Sequence, residues 1–218
     1  MKNPRAPFVE LRDVTFGYDE QETVLHHLSF QVAEGEQVTL TGRTGAGKST
    51  VFKLLPGLYT PQEGAVLLQG APVSEIPAAE RRKLFGCVEQ IFHRVPGTVR
   101  DQITLYDPAI TEDRVRTAVR LAGLEDAING LEHGYDTSCT PELFSQGQWQ
   151  LLSIARAVAA DPKLLLLDEI TANLDAETEH TVLLALRRAS AKRTVVSISH
   201  RTGADMGRPI PIGSVENT

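Results

Sequence analysis

The sequence has 218 residues, of which 41% are hydrophobic and 23% charged, the proportions of a globular protein long enough to bury a full core. Its net charge of −6 argues against a nonspecific nucleic-acid or anionic-membrane surface, and no nucleic-acid partner is expected. Cys87 and Cys139 form no close pair, which suits free thiols in a reducing compartment; no apolar run approaches the ~20 residues of a membrane span, and the N-terminus lacks a signal-peptide core.

Residues 8–18 and 24–33 are rich in β-branched and aromatic side chains and are punctuated by Gly17, Asp19 and Glu20. They read as two antiparallel strands. Tyr18 closes the first, either as an edge aromatic or as a ring on which a nucleotide base stacks. A third strand, 37–41, runs into Gly42-Arg43-Thr44-Gly45-Ala46-Gly47-Lys48-Ser49 and then Thr50. Two glycines separated by four residues and followed by Lys and Ser form the phosphate-loop pattern. Glycines let successive backbone N–H groups turn inward around phosphate oxygens at a helix start. Lys48 adds a charge for the β- and γ-phosphates, and the Ser49 hydroxyl is placed to ligate Mg²⁺. The helix that follows runs to about Leu55, where Pro56-Gly57 stops it.

A short strand is expected over 64–69, a helix from Pro77 to Leu84 and a strand over 85–90. Gln90 at its end is either a solvated strand terminus or a link from the phosphate loop to a helical region. From about residue 97 the composition changes. Thr98–Leu105 and Glu112–Leu121 carry helical spacing, with Val115, Ala118, Val119 and Ala122 on one face, Thr111 as N-cap and Gly123 as stop. Residues 97 to about 160 read as a helical insertion, whose last helix starts after Phe144-Ser145-Gln146-Gly147-Gln148. Leu164 to Leu167 suit a parallel strand buried on both faces. Asp168 and Glu169 then stand at its carboxyl end, where open α/β sheets hold ligands. A helix is expected from Asp175, as N-cap, to about Arg188, followed by a strand over Thr194–Ser199 with His200 just beyond. Asp168 is placed to hold Mg²⁺ beside Ser49, and Glu169 to orient the water that attacks a γ-phosphate. His200 either contacts that phosphate, fixes Glu169 or closes a strand.

On these residues the chain, from about 8 to 201, resembles the nucleotide-binding domain of an ATP-binding-cassette (ABC) transporter. The resemblance implies an α/β fold: a P-loop NTPase core with a parallel sheet, an N-terminal antiparallel β subdomain and an inserted α-helical subdomain. It assigns residues 1–201 to one ATPase domain and leaves 202–218 as a short irregular tail. It makes Tyr18 the adenine-stacking aromatic and Gly42, Arg43, Thr44, Gly45, Ala46, Gly47, Lys48, Ser49 and Thr50 the nucleotide-binding loop. Gln90 becomes the Q-loop glutamine, and Ser145, Gln146, Gly147 and Gln148 the signature that acts on a partner's ATP. Thr171-Ala172-Asn173-Leu174-Asp175 becomes the D-loop and His200 the switch histidine. Lys48, Gln90, Glu169 and His200 are then the catalytic set, and Ser49, Gln90 and Asp168 the Mg²⁺ ligands, with ATP and Mg²⁺ as cofactors.

Gly97-Thr-Val-Arg-Asp-Gln-Ile103 and Gly134-Tyr-Asp-Thr137 resemble segments of exporter cassettes. The implied function is ATP hydrolysis powering export. The implied partners are a second cassette, identical or related, packed head to tail, and transmembrane domains, which put the chain at the cytoplasmic face of the cell membrane. The alternative is a soluble cassette ATPase or ATP-gated interaction module not coupled to transport. Against the commonest signature, Leu-Ser-Gly-Gly-Gln, this chain has Phe144 for Leu and Gln146 for the first Gly. Trp149 stands where Arg is usual, and Cys139-Thr-Pro-Glu-Leu143 precedes the signature instead of the usual exporter run.

Overall fold

The computed structural model describes residues 7–19, 22–168, 170, 174–198 and 207–213. Along the chain come β1 (Pro7–Gly17), β2 (Thr23–Ala33), β3 (Gln37–Thr41), α1 (Lys48–Leu54), β4 (Glu63–Leu68) and β5 (Ala71–Pro72). After a 3-10 turn follow α2 (Ala78–Leu84), β6 (Phe85–Val88), α3 (Val99–Thr104), α4 (Glu112–Ala122) and α5 (Glu125–Asn129). The rest is α6 (Gln146–Ala159), β7 (Leu164–Asp168), α7 (Ala176–Ser190), β8 (Thr194–Ile198) and β9 (Arg208–Pro211). No helix among the described residues is long and apolar enough to cross a membrane.

The chain divides into two compact units, one made of Met1–Arg81 with Arg193–Thr218, the other of Arg82–Lys192. In the first, β1 pairs antiparallel with β2 and with β4, which carries β5. Buried Val9, Leu11, Val14 and Phe16 give β1 its core side. The ladder shifts register between Leu11 and Val14, where Asp13 takes a positive φ of 52°, the signature of a bulge. The same unit has β3 between β8 and β9, all parallel. Fully buried Thr39 satisfies its hydroxyl against Ser197 at 2.8 Å, and the Ser197 hydroxyl also bonds the Val38 carbonyl at 3.1 Å, as polar groups inside a core require.

The tail expected to be irregular thus contributes a strand. Ile210 and Ile212 are buried and alternate with Pro209 and Pro211. Proline, lacking an N–H, is tolerated on an edge strand at positions whose N–H would point away from the neighbour. Ile212 continues the ladder, its N–H donating to the Thr41 carbonyl at 2.7 Å. Arg208 ties the strand down further through Glu36 at 2.7 Å and the Gln31 carbonyl at 2.8 Å. Burial acts to raise the Glu36 pKa, but the Arg208 bond, the Ala33 amide and the Arg208 charge outweigh it and leave the carboxyl below its usual range.

In the second unit β6 and β7 pair in parallel, Phe85 opposite Leu164 through Val88 opposite Leu167. The four leucines are buried, as their unbroken run predicts. Helix α4 buries Val115, Ala118, Val119 and Ala122 and ends on left-handed Gly123, φ 77°. Thr111 occupies its N-cap without a side-chain cap bond. Helix α6 packs on α3, α4 and α7, and along most of its length even its polar side chains Gln150 and Ser153 are buried. A helix apolar nearly all round belongs at the centre of a helical layer.

Candidate functional site

The phosphate-loop sequence leaves the carboxyl end of β3 and enters α1 through three glycines of positive φ: Gly42 at 145°, Gly45 at 83° and Gly47 at 93°. Gly47 is the N-cap of α1 and has no side chain with which to cap the first-turn N–H groups. Two of the glycines are also sterically required. A Cβ on Gly42 would lie 2.5 Å from the Ile212 carbonyl oxygen, and one on Gly47 would lie 2.5 Å from Leu25 Cδ2. Lys48, buried, turns back over the loop and donates from Nζ to the carbonyls of Gly42 at 2.8 Å and Arg43 at 2.9 Å. Arg43, Thr44 and Ser49 are exposed, Ala46 is partly so, and Thr50 is buried.

Tyr18 stands beside this loop. Its hydroxyl shares a hydrogen bond with Thr50 Oγ1 at 3.2 Å, which brings two of the predicted nucleotide-binding residues into contact. Phe16 and Tyr59 meet the ring edge-to-face at 5.1 and 5.5 Å, and Lys53 Nζ lies 5.0 Å from its centroid. The ring is nonetheless 49% exposed. An aromatic held in a fixed plane yet half open to solvent is ready to stack.

The second unit carries the other predicted residues. Exposed Gln90 follows β6, and its carbonyl accepts a hydrogen bond from Gln150 Nε2 at 2.7 Å. Ser145 is the N-cap of α6: its hydroxyl accepts from the Gln148 N–H, and the Gln148 side chain accepts from the Ser145 N–H at 2.9 Å. This reciprocal box fixes the helix entry. Gln146 is exposed and Gly147 buried in the first turn. Asp168 ends β7 partly exposed. Asp175 is the N-cap of α7, accepting from the amides of Glu177 at 3.1 Å and Thr178 at 3.0 Å. The Thr178 hydroxyl and these amides hold its pKa below the usual range. Glu169, Thr171, Ala172, Asn173 and His200 lie outside the described residues.

Sequence reasoning did not find what holds Gln90 and its neighbours in place. Trp149 stacks on Phe92 at 5.1 Å and meets Phe144 edge-on at 5.2 Å. Arg156 lies 3.9 Å above Phe92 and donates to the His93 carbonyl at 2.7 Å. Fully buried Gln102 bonds both the amide of Val95, at 2.9 Å, and its carbonyl, at 2.8 Å. The one signal in the sequence was Trp149 itself, a large aromatic following Gln148. Gln90, Phe92, Phe144, Gln146 and Trp149 line a cavity of about 430 Å³.

With this geometry in place, comparison with known proteins is specific. The ABC transporter family model matches residues 25–172. The chain is 43% identical over 195 residues to the uncharacterized ABC transporter ATP-binding protein YfiC of Bacillus subtilis (strain 168), covering 88% of this chain and 32% of that protein. It is 40% identical to the probable multidrug resistance ABC transporter ATP-binding/permease protein YheH of the same organism, covering 88% of this chain and 29% of that one. A solved structure of a bacterial Atm1-family ABC exporter with ATP bound matches with a TM-score of 0.83 at 34% identity, covering 94% of this chain and 37% of that one. The chain therefore spans about a third of the length of the relatives it matches. The fold is the α/β P-loop NTPase fold of such exporter domains.

Proposed function

The chain belongs to the ABC transporter family, and from that membership we propose that it is the ATP-binding and ATP-hydrolysing domain of an exporter. In this reading it closes head to tail with a second cassette, the same chain or a related one, at the cytoplasmic face of the membrane domains it drives. The observation that carries the reading is the loop in which left-handed Gly42, Gly45 and Gly47 lead into Lys48, with half-exposed Tyr18 fixed alongside through Thr50.

The backbone N–H groups of the loop and first turn of α1 bind the phosphates, and Tyr18 supports the base. Lys48 exchanges its two carbonyl partners for β- and γ-phosphate oxygens. Magnesium, when bound, would neutralise phosphate charge and would take oxygen ligands. The exposed hydroxyl of Ser49, the partly exposed carboxylate of Asp168 and the side-chain carbonyl of exposed Gln90 are donors of that kind. Glu169 orients the attacking water and His200 contacts the γ-phosphate. Ser145, Gln146, Gly147 and Gln148 face the nucleotide of the opposing cassette. Hydrolysis removes the group both cassettes grip and lets them part.

The test is Mg²⁺-dependent ATP turnover by the purified chain, with and without Glu169→Gln. The substitution is expected to leave nucleotide binding intact, lower kcat by about 100-fold or more and accumulate an ATP-bound dimer in light scattering. Nucleotide-driven dimers with no turnover by the unaltered chain would instead make this an ATP-gated interaction module.

A further inference from the structure

We propose that Thr178 is a positioning residue that locks the signature end of α6 to the cap of α7, and that position 147 is glycine because the Thr178 methyl fills the space a side chain would need. The proposal rests on the function above for its catalytic consequence, while the packing relation stands independently of it.

Gly147 lies in the first turn of α6 with ordinary helical backbone, so conformational freedom gives no reason for a glycine there. In a helix, glycine is less stable than alanine. The reason is steric: a Cβ at 147 would stand 2.3 Å from Thr178 Cγ2, 3.6 Å from its Cβ and 3.8 Å from its Oγ1. A flexible side chain would swing aside, but a β-branched one has few χ1 choices. Thr178 is held further, since its amide donates to Asp175 Oδ1 at 3.0 Å. Nor is the signature end of α6 free to bend away, because the Ser145 and Gln148 box pins the same turn. One residue thus has its methyl against the signature turn and its amide on the Asp175 cap, so a displacement of either is felt by the other.

This predicts a specific suppressor. In the full chain, Gly147→Ala is expected to lower the melting temperature by several degrees and kcat by about 10-fold or more, with little change in equilibrium binding of fluorescent ATP analogue to the monomer. Thr178→Ser removes the methyl and keeps the hydroxyl. Alone it should cost about 2-fold in kcat through the small void left. Combined with Gly147→Ala, it should recover the melting temperature and most of kcat, because the new methyl occupies the vacated space. Thr178→Val, which keeps the methyl and loses the hydroxyl, should not rescue. A double variant no better than Gly147→Ala in melting temperature, or a Gly147→Ala chain that melts like the parent, overturns the proposal. Should the parent chain show no ATP turnover, the function fails on that measurement while the melting temperatures still decide the packing relation.

Discussion

The Ile212 carbonyl oxygen stands 2.5 Å from where a Cβ on Gly42 would lie, so the first glycine of the phosphate loop is shaped by a strand that arrives more than a hundred residues later in the sequence. Gly42→Ala therefore meets a clash and a φ of 145° together. Calorimetry should show ATP affinity lower by about 10-fold or more, and the melting temperature should fall by about 4 °C or more. Gly45→Ala separates the two causes. Among the described residues nothing lies within 4 Å of its Cβ position, but φ is 83°, so backbone strain of about 1 kcal/mol applies, with a correspondingly smaller loss.

Tyr18→Ala removes the ring and its bond to Thr50 but none of the loop. Base–aromatic stacking is worth about 1–3 kcal/mol, so ATP affinity should fall by about 5- to 100-fold. Tripolyphosphate, which has no base, should bind as before. Equal losses for both ligands in competition titrations would assign Tyr18 to loop stability alone.

Strands and helices were legible where a single physical cause dominated the local sequence. Four consecutive leucines had only a doubly buried strand to occupy, and Asp175 ahead of a helical pattern could be read as a cap because a short carboxylate satisfies first-turn amides. The loop from Gly42 to Ser49 was legible from residue type and spacing. The strand Arg208–Pro211 was missed because two prolines outweigh two isoleucines in any local reading, and only the edge position beside β3 makes them harmless. Thr178 was invisible for a related reason: its partner Gly147 lies on another helix, and a methyl-to-glycine contact leaves no periodic trace. Gln102 likewise sat in a polar stretch that gave no hint of burial.

Gln102→Leu conserves size and removes both bonds to Val95. The Val95 amide and carbonyl it leaves unpaired are only partly buried, so water can reach them in part and urea unfolding should show a loss of about 1–3 kcal/mol at unchanged m. A loss under 0.5 kcal/mol would mean that water replaces the side chain at no cost.

Glu36 carries an acid-dependent contribution. Its folded pKa is depressed, so the stability it confers is present above its unfolded pKa and is lost as the pH falls through the folded value. With Arg208 51% and Glu36 27% exposed at the side chain, the pair is worth about 1 kcal/mol at most. Glu36→Gln should therefore lower the melting temperature by about 2–4 °C at pH 7, and the difference from the parent should begin to shrink only below about pH 4.3 and vanish once the pH is below the depressed folded value. A difference that persists in acid would trace to lost packing rather than charge.

The partner of Thr39 across the strand pair, Ser197, is 158 residues away in sequence, and everything in the second compact unit is threaded between them. While the chain is being made, at about 5–20 residues per second, β3 must wait many seconds with both edges unpaired before β8 and β9 emerge. Such late, long-range parallel pairing is the slow and aggregation-exposed kind. The stretch from Gln37 to Thr41, finished early and completed last, is where a nascent chain of this kind most needs a chaperone.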